Sequence, residues 1–333
     1  MFNRRTFLGN CAKALGGLAV VGASPQSVFA VRRPRSALYD ESIWSMGTQV
    51  RLSIRREAYA PQILHAAFEA IRQVDRELSV HRSNSELSRL NNAPGAWRPA
   101  TRLMSEVSRS ALALGHLSDG ALDVTVLPVL RRLGFAPGGG SPAAPEVVDF
   151  TKLKVDGKSV MLESGGYAVD FGGIAKGFAV DEALGTLRGD GIDAALLDAG
   201  GDLFAMGRPD ADRRWRIGIR DPFEPDTLFA IVDVEDEAVA TSGTYAQTRV
   251  VDGVEVSHII DPRSCRPVSH VVSATVFARD TMRADALATA ICVMTPAASF
   301  DLIETQSETE ALWVFADGRT AMTSGLKRRV SLL

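Results

Sequence analysis

Asp170-Phe-Gly-Gly-Ile-Ala-Lys-Gly177 is the stretch from which the organisation of this chain reads most directly. The apolar residues Tyr167–Val169 ahead of it predict a short strand, and the apolar spacing from Ile174 to Leu187 predicts a helix. Between them, an acid and two glycines make a strand-to-helix turn. Such a turn brings backbone N–H groups against an anion at the positive end of the helix dipole. Lys176, in the first helical turn, adds a point cation suited to a diphosphate.

Two further stretches supply complementary chemistry. Ala284-Asp-Ala-Leu-Ala-Thr289 places Asp285 and Thr289 four residues apart, hence on one face of a helix. A carboxylate and a hydroxyl there are hard oxygen ligands suited to Mg2+. His258-Ile-Ile-Asp-Pro262 offers an imidazole that titrates near pH ~6.5 when unperturbed, beside the turn former Asp261-Pro262. Singly, each stretch also fits an ordinary turn, an exposed helix acid or a structural histidine. Jointly they fit a metal–diphosphate site, and so an enzyme acting on a nucleotide.

Around these motifs the pattern mixes helices with antiparallel strands. Ile63, Leu64, Ala67, Phe68, Ile71, Val74 and Leu78 recur at helical spacing from Pro61 to Leu78, with Pro61 at the first helical position. A second helix is predicted over Leu103 to Leu117, and others over Ala284 to Met294 and near Phe300–Ile303. Trp215, Ile217 and Ile219 alternate as in a strand. Asp252-Gly253 and Asp317-Gly318 read as hairpin turns. Ala136-Pro-Gly-Gly-Gly-Ser-Pro142 reads as a surface insertion. With no regular βαβ rhythm, the expected class is α+β.

The 333 residues are 46% hydrophobic and 23% charged, with a formal charge of −3, ordinary for a globular protein and without a nucleic-acid footprint. Residues 1–30 read as a leader. Asn3-Arg-Arg-Thr-Phe-Leu8 resembles the twin-arginine export signal, Cys11 to Ala23 is mildly apolar, and Val28-Phe29-Ala30 suits cleavage. The apolar run is too short to span a bilayer, so release into the periplasm is expected rather than anchoring. Residues 31–333 then form the working domain. It retains Cys265 and Cys292, with no disulfide framework and no zinc spacing; Cys292 sits in an apolar run and reads as a core residue.

The ordered series of motifs resembles the ApbE family of FAD:protein FMN transferases. The matching residues are Met46-Gly-Thr48, Asp75, Leu78-Ser-Val-His-Arg-Ser-Asn-Ser-Glu-Leu-Ser-Arg-Leu90, Gly120-Ala-Leu-Asp-Val-Thr125, Val169–Asp181, Asp198-Ala-Gly-Gly-Asp202, Thr241-Ser-Gly243, the His258 motif and Asp285–Thr289. The resemblance implies a T-fold-like α+β fold around one FAD site. It implies Mg2+-dependent transfer of FMN from FAD to a Thr or Ser hydroxyl of an acceptor flavoprotein, with release of AMP. By position it implies metal contacts at the Gly173 carbonyl, Asp285, the Ala288 carbonyl and Thr289. It implies FAD contacts at Met46, His81, Ala121, Leu122, Asp123, Asp170, Lys176 and His258, with His258 and Asp285 as catalytic candidates. The chain departs from the family pattern in having His81 for an aromatic residue, Cys265 for a turn glycine and Leu133 for a tryptophan. An FAD diphosphatase with water as acceptor, and a flavin carrier without turnover, are the competing readings. The complete phosphoryl-transfer set argues against the carrier. An exported transferase would serve a periplasmic acceptor, such as a membrane redox subunit.

Overall fold

Ala195-Leu-Leu-Asp-Ala199 is buried at every position, as happens when both faces of a sheet are covered. A computed structural model of the protein, describing residues 28–30, 38–138, 147–224 and 226–333, explains why. The strand lies inside an eight-stranded sheet made of β1 (Leu38–Ser45), β2 (Thr48–Arg55), β3 (Ala195–Ala199), β4 (Leu203–Met206), β5 (Glu237–Gly243), β6 (Val271–Ala278), β7 (Glu310–Phe315) and β8 (Thr320–Met322). Their order in space follows their order in the chain, and every neighbouring pair is antiparallel. Because side chains alternate along a strand, Leu197, Phe204, Ala240, Val276 and Trp313 enter a core shared with the helices. Leu196, Leu203, Val239, Phe277 and Leu312 enter a second core. That core is closed by a smaller antiparallel sheet of Val28–Ala30, Trp215–Arg220, Leu228–Val234 and Val330–Leu332.

The helical layer comprises α1 (Pro61–Leu78), α2 (Arg102–Leu117), α3 (Ala175–Gly189) and α4 (Thr281–Val293). α1 keeps its predicted limits. α2 begins one residue before the prediction because Thr101 caps it, its hydroxyl accepting the Met104 N–H. α4 begins three residues early for the same reason, with the Asp280 carboxylate accepting the Arg283 N–H. The last predicted helix spans Pro296–Glu304. α4 is apolar nearly all round and packs on α3, β5 and β6, as such a helix must. It therefore carries Asp285 into the interior.

One predicted element does not form. Tyr167–Val169 is no strand; Ala168 makes a single parallel bridge to Val126. The Asn91 amide takes the place of a strand partner, accepting the Val169 N–H at 2.7 Å and donating to its carbonyl at 2.8 Å. The turn Asp252-Gly253 does join two paired strands, at φ +51° and +80°, and Asp317-Gly318 lies between β7 and β8. Residues 139–142 of the predicted insertion lie outside the described residues, as does the predicted leader apart from the backbone of Val28–Ala30, which pairs with Ile217–Ile219. Cys265 and Cys292 are not bridged, and Cys292 is buried in the core as expected. Cys265 sits at φ +54°, in the left-handed region that glycine adopts freely and that costs other residues roughly 1 kcal/mol. Among the described residues no helix is long and apolar enough to cross a membrane. Antiparallel sheets with segregated helices make this an α+β fold, as the sequence predicts.

Candidate active site

The site begins where α3 meets α4. Gly177 makes the close approach possible: a Cβ on it would stand 2.2 Å from the Thr281 carbonyl oxygen. One turn along α3, both oxygens of Asp181 accept N–H groups from the first turn of α4, from Thr281 at 2.9 Å and Met282 at 2.8 Å. An acid at a helix N-terminus satisfies orphan donors and complements the dipole, so Asp181 fixes how the two helices sit. That placement brings Asp285 onto the start of α3, where its Oδ2 accepts the Gly177 N–H at 3.0 Å.

Lys176 lies between two buried acids. Its ammonium bonds directly to Asp202 and stands 3.7 Å from Asp285 Oδ1. Asp202 and Asp285 are 1% and 2% exposed. Burial opposes the charge on Lys176, but the two carboxylates outweigh it and hold the ammonium protonated. Asp202 is pushed up to about 7, by burial first and then by repulsion from Asp285, with Lys176 pulling the other way. Asp198 is pushed by burial to about 6; its Oδ1 accepts the Gly201 N–H and so shapes the loop that presents Asp202.

One turn beyond Asp285 on α4, the Thr289 hydroxyl lies 3.1 Å from Ser242 Oγ on β5. Gly173 closes on the same hydroxyl, for a Cβ there would come within 3.1 Å of Thr289 Oγ1. Asp285, Thr289 and the backbone of Gly173 and Ala288 thus share one corner, with Ala288 fully buried. All the donors are hard oxygens, and a side chain at Gly173 would press on Thr289. The set fits Mg2+, which takes few protein ligands and completes its octahedron with water and phosphate oxygens. Among the described residues no group of three or more His, Cys, Asp or Glu side chains is placed to hold a metal ion.

His258 sits at the base of the hairpin formed by Thr248–Val251 and Val254–Ser257. Its Nδ1 is 3.2 Å from the Gln247 carbonyl, an oxygen that only accepts, so the ring proton belongs on Nδ1 and Nε2 is left unprotonated. Phe135 flanks the ring at 6.2 Å between centroids. Burial, reinforced by the charge of Lys176 and opposed by the Gln247 bond, pushes the imidazole down to about 4. It is therefore neutral at physiological pH and a weaker base than free histidine. In the unfolded chain it would protonate near ~6.5. Between those values the unfolded state binds more protons, so this contribution to stability is full above pH ~6.5 and is lost as pH falls toward 4. A His258→Gln variant is expected to lose less stability than the parent on going from pH 6.5 to 4, by up to about 3 kcal/mol. Urea unfolding at both pH values checks it.

The remaining predicted residues divide. Asp170 turns back to accept the Gly172 N–H at 2.7 Å; burial raises its carboxyl, against that bond and the nearby charges of His81 and Arg131. His81 is exposed and shares this neighbourhood. Ala121 and Leu122 are buried, which leaves their backbone as the part able to meet a ligand. The Asp123 carboxylate faces inward, accepting the Thr125 N–H and hydroxyl and the Phe150 N–H. Met46 occupies the β1–β2 turn at φ +53°. The next residue but one, Thr48, packs on Gly200, setting that turn beside the Asp202 loop.

Sequence reasoning passed over Asp202, Ser242 and Asp181 as site residues. Asp198-Ala-Gly-Gly-Asp202 reads as a tight bend, and nothing local says that its last acid meets a lysine twenty-six residues earlier in the chain. Two open cavities, of 540 and 500 Å3, lie elsewhere and share no residue with the cluster; the convergence of charges, not volume, identifies the site.

The chain is similar to known proteins in sequence and in fold. A family model described as the ApbE family covers residues 46–313. An FAD:protein FMN transferase of Vibrio cholerae is 33% identical over 237 residues, 67% of this chain and 71% of that protein. Another protein of that name, from Klebsiella pneumoniae, is 28% identical over 92% of this chain and 90% of its own length. Among solved structures, the ApbE protein of Thermotoga maritima superposes with a TM-score of 0.80 at 28% identity, over 88% of this chain and 99% of that one. The flavin transferase ApbE of Vibrio cholerae gives 0.77 at 28% identity with the same coverage.

Proposed function

The chain belongs to the ApbE family, and from that premise we propose that it moves the FMN half of FAD onto a Thr or Ser hydroxyl of an acceptor protein, releasing AMP. The observation that carries this reading is the cluster of Lys176 with the buried acids Asp202 and Asp285, beside Thr289 and Gly173. It pairs a cation for a diphosphate with hard ligands for a metal.

In this reading the acceptor oxygen bonds to the FMN-side phosphorus, the bridging oxygen departs with AMP, and the acceptor hydroxyl gives up its proton. Lys176 binds the diphosphate and helps carry its negative charge. The unprotonated Nε2 of His258 takes the proton; a loose phosphoryl transition state asks little of that base. Asp285, Thr289 and the carbonyls of Gly173 and Ala288 would hold Mg2+, which neutralises charge on the phosphoryl oxygens when bound. Met46, His81, the Ala121–Asp123 backbone and Asp170 orient FAD.

Incubation with FAD, Mg2+ and candidate acceptors, followed by intact-mass measurement, tests the proposal. An acceptor heavier by one FMN supports it. FMN and AMP appearing with no modified acceptor would instead favour the hydrolase, in which water replaces the hydroxyl.

We further infer a periplasmic site of action from the Arg4-Arg5 motif. Changing both arginines to lysine is expected to hold the precursor inside the cell. Fractionation that still finds the protein in the periplasm would exclude the twin-arginine route.

A further inference from the structure

We propose that Asp202 is a positioning residue for Lys176, holding its ammonium away from Asp285 so that Asp285 stays available to a divalent cation. The inference rests on the reading of Asp285 as a metal ligand.

The two acids are held differently. Asp202 ends a loop stiffened by its own backbone: Gly200 and Gly201 sit at φ +71° and +100°, the Gly201 N–H bonds to Asp198, and the Ala199 N–H bonds to the Asp202 carbonyl at 2.9 Å. Thr48 packs against Gly200 from outside. The acid is thus fixed independently of the lysine, and the ammonium bonds to it directly. Asp285 gives Oδ2 to the Gly177 N–H, and its Oδ1 sees the ammonium only at 3.7 Å, beyond hydrogen-bond length.

An ammonium only partly open to solvent beside a single buried carboxylate would close into a direct pair, because the carboxylate has lost its water and has no other cation to face. A metal ion would then have to displace it. With two acids and one ammonium, the cluster keeps Lys176 paired with Asp202 and leaves the Asp285 carboxylate facing the cation. Lys176 can then face the diphosphate from Asp202 while Asp285 faces the metal from the other side.

The test is a double-mutant cycle read by Mn2+ binding, by calorimetry and by electron paramagnetic resonance, without FAD or acceptor. Asp202→Asn is expected to weaken Mn2+ binding by roughly tenfold or more, as Lys176 moves onto Asp285. In a Lys176→Met background the same change should cost less than about threefold, since Asp202 then has nothing to hold. Equal losses in both backgrounds would overturn the proposal and make Asp202 a direct ligand or a plain source of charge. No loss in either background, or no Mn2+ binding by the unaltered protein, would overturn it as well. Where Asp202→Asn fails to fold, Asp202→Glu keeps the charge and pushes the ammonium toward Asp285. It should weaken Mn2+ binding only when Lys176 is present, and equal effects would again sink the idea. Flavin transfer is judged separately by the acceptor's mass, so failure here leaves that reading distinguishable.

Discussion

Asp285→Ala is expected to lower FMN transfer by roughly a hundredfold or more, because metal stabilisation of a phosphoryl transition state contributes several kcal/mol. Asp285 lies one helical turn before Thr289 on α4 and is 2% exposed. The alanine also strands the buried Gly177 N–H, which now donates to Asp285 Oδ2, at a cost of about 1–3 kcal/mol in stability. Asp285→Asn separates the two effects. Its amide oxygen can still accept from Gly177, so the thermal midpoint should stay near the parent's while transfer remains low. FAD affinity should fall less than the rate in both variants, since Met46, His81 and Lys176 are untouched. Mass spectrometry of an acceptor in saturating FAD and Mg2+ decides the matter. A folded alanine variant working at near the parental rate would remove Asp285 from the mechanism.

The second large effect is expected from the smallest substitution. Gly177→Ala puts a methyl group 2.2 Å from the Thr281 carbonyl oxygen and 2.8 Å from Met282 Cα. Both are backbone atoms, so no rotamer change relieves the clash, and α3 must move off α4. Alanine's better helix propensity offers about 1 kcal/mol, while overpacking costs about 1–3 kcal/mol or more. Destabilisation should win. The displacement also separates Lys176 from Asp285, and misplacement of about 1 Å at a reacting centre can cost roughly a hundredfold in rate. Gly185→Ala is the control: it lies on the same helix, and its Cβ would meet nothing within 4 Å. It should leave transfer unchanged and raise stability by about 0.5–1 kcal/mol. Equal thermal midpoints for the two variants would refute the close-approach argument.

These expectations draw unequally on sequence and on structure. The helical spacing of Pro61–Leu78, the Asp252-Gly253 turn and the alternation of Trp215, Ile217 and Ile219 are local patterns, and they read correctly because side-chain periodicity and turn chemistry act over a few residues. The order of motifs from Met46 to Thr289 pointed to the family, since each motif keeps a recognisable local chemistry. Asp285 and Thr289 were legible together for the same reason, one helical turn apart. Tyr167–Val169 misled because its backbone groups bond to Asn91, seventy-eight positions away, and no local signal reports that. The burial of Asp202 against Lys176, the capping of α4 by Asp181 and the neutral state of His258 belong to the tertiary structure alone. Each arises from groups that meet only once the helices pack on the sheet and exclude water. Desolvation and charge pairing then set the chemistry of residues whose neighbours in sequence say nothing about it.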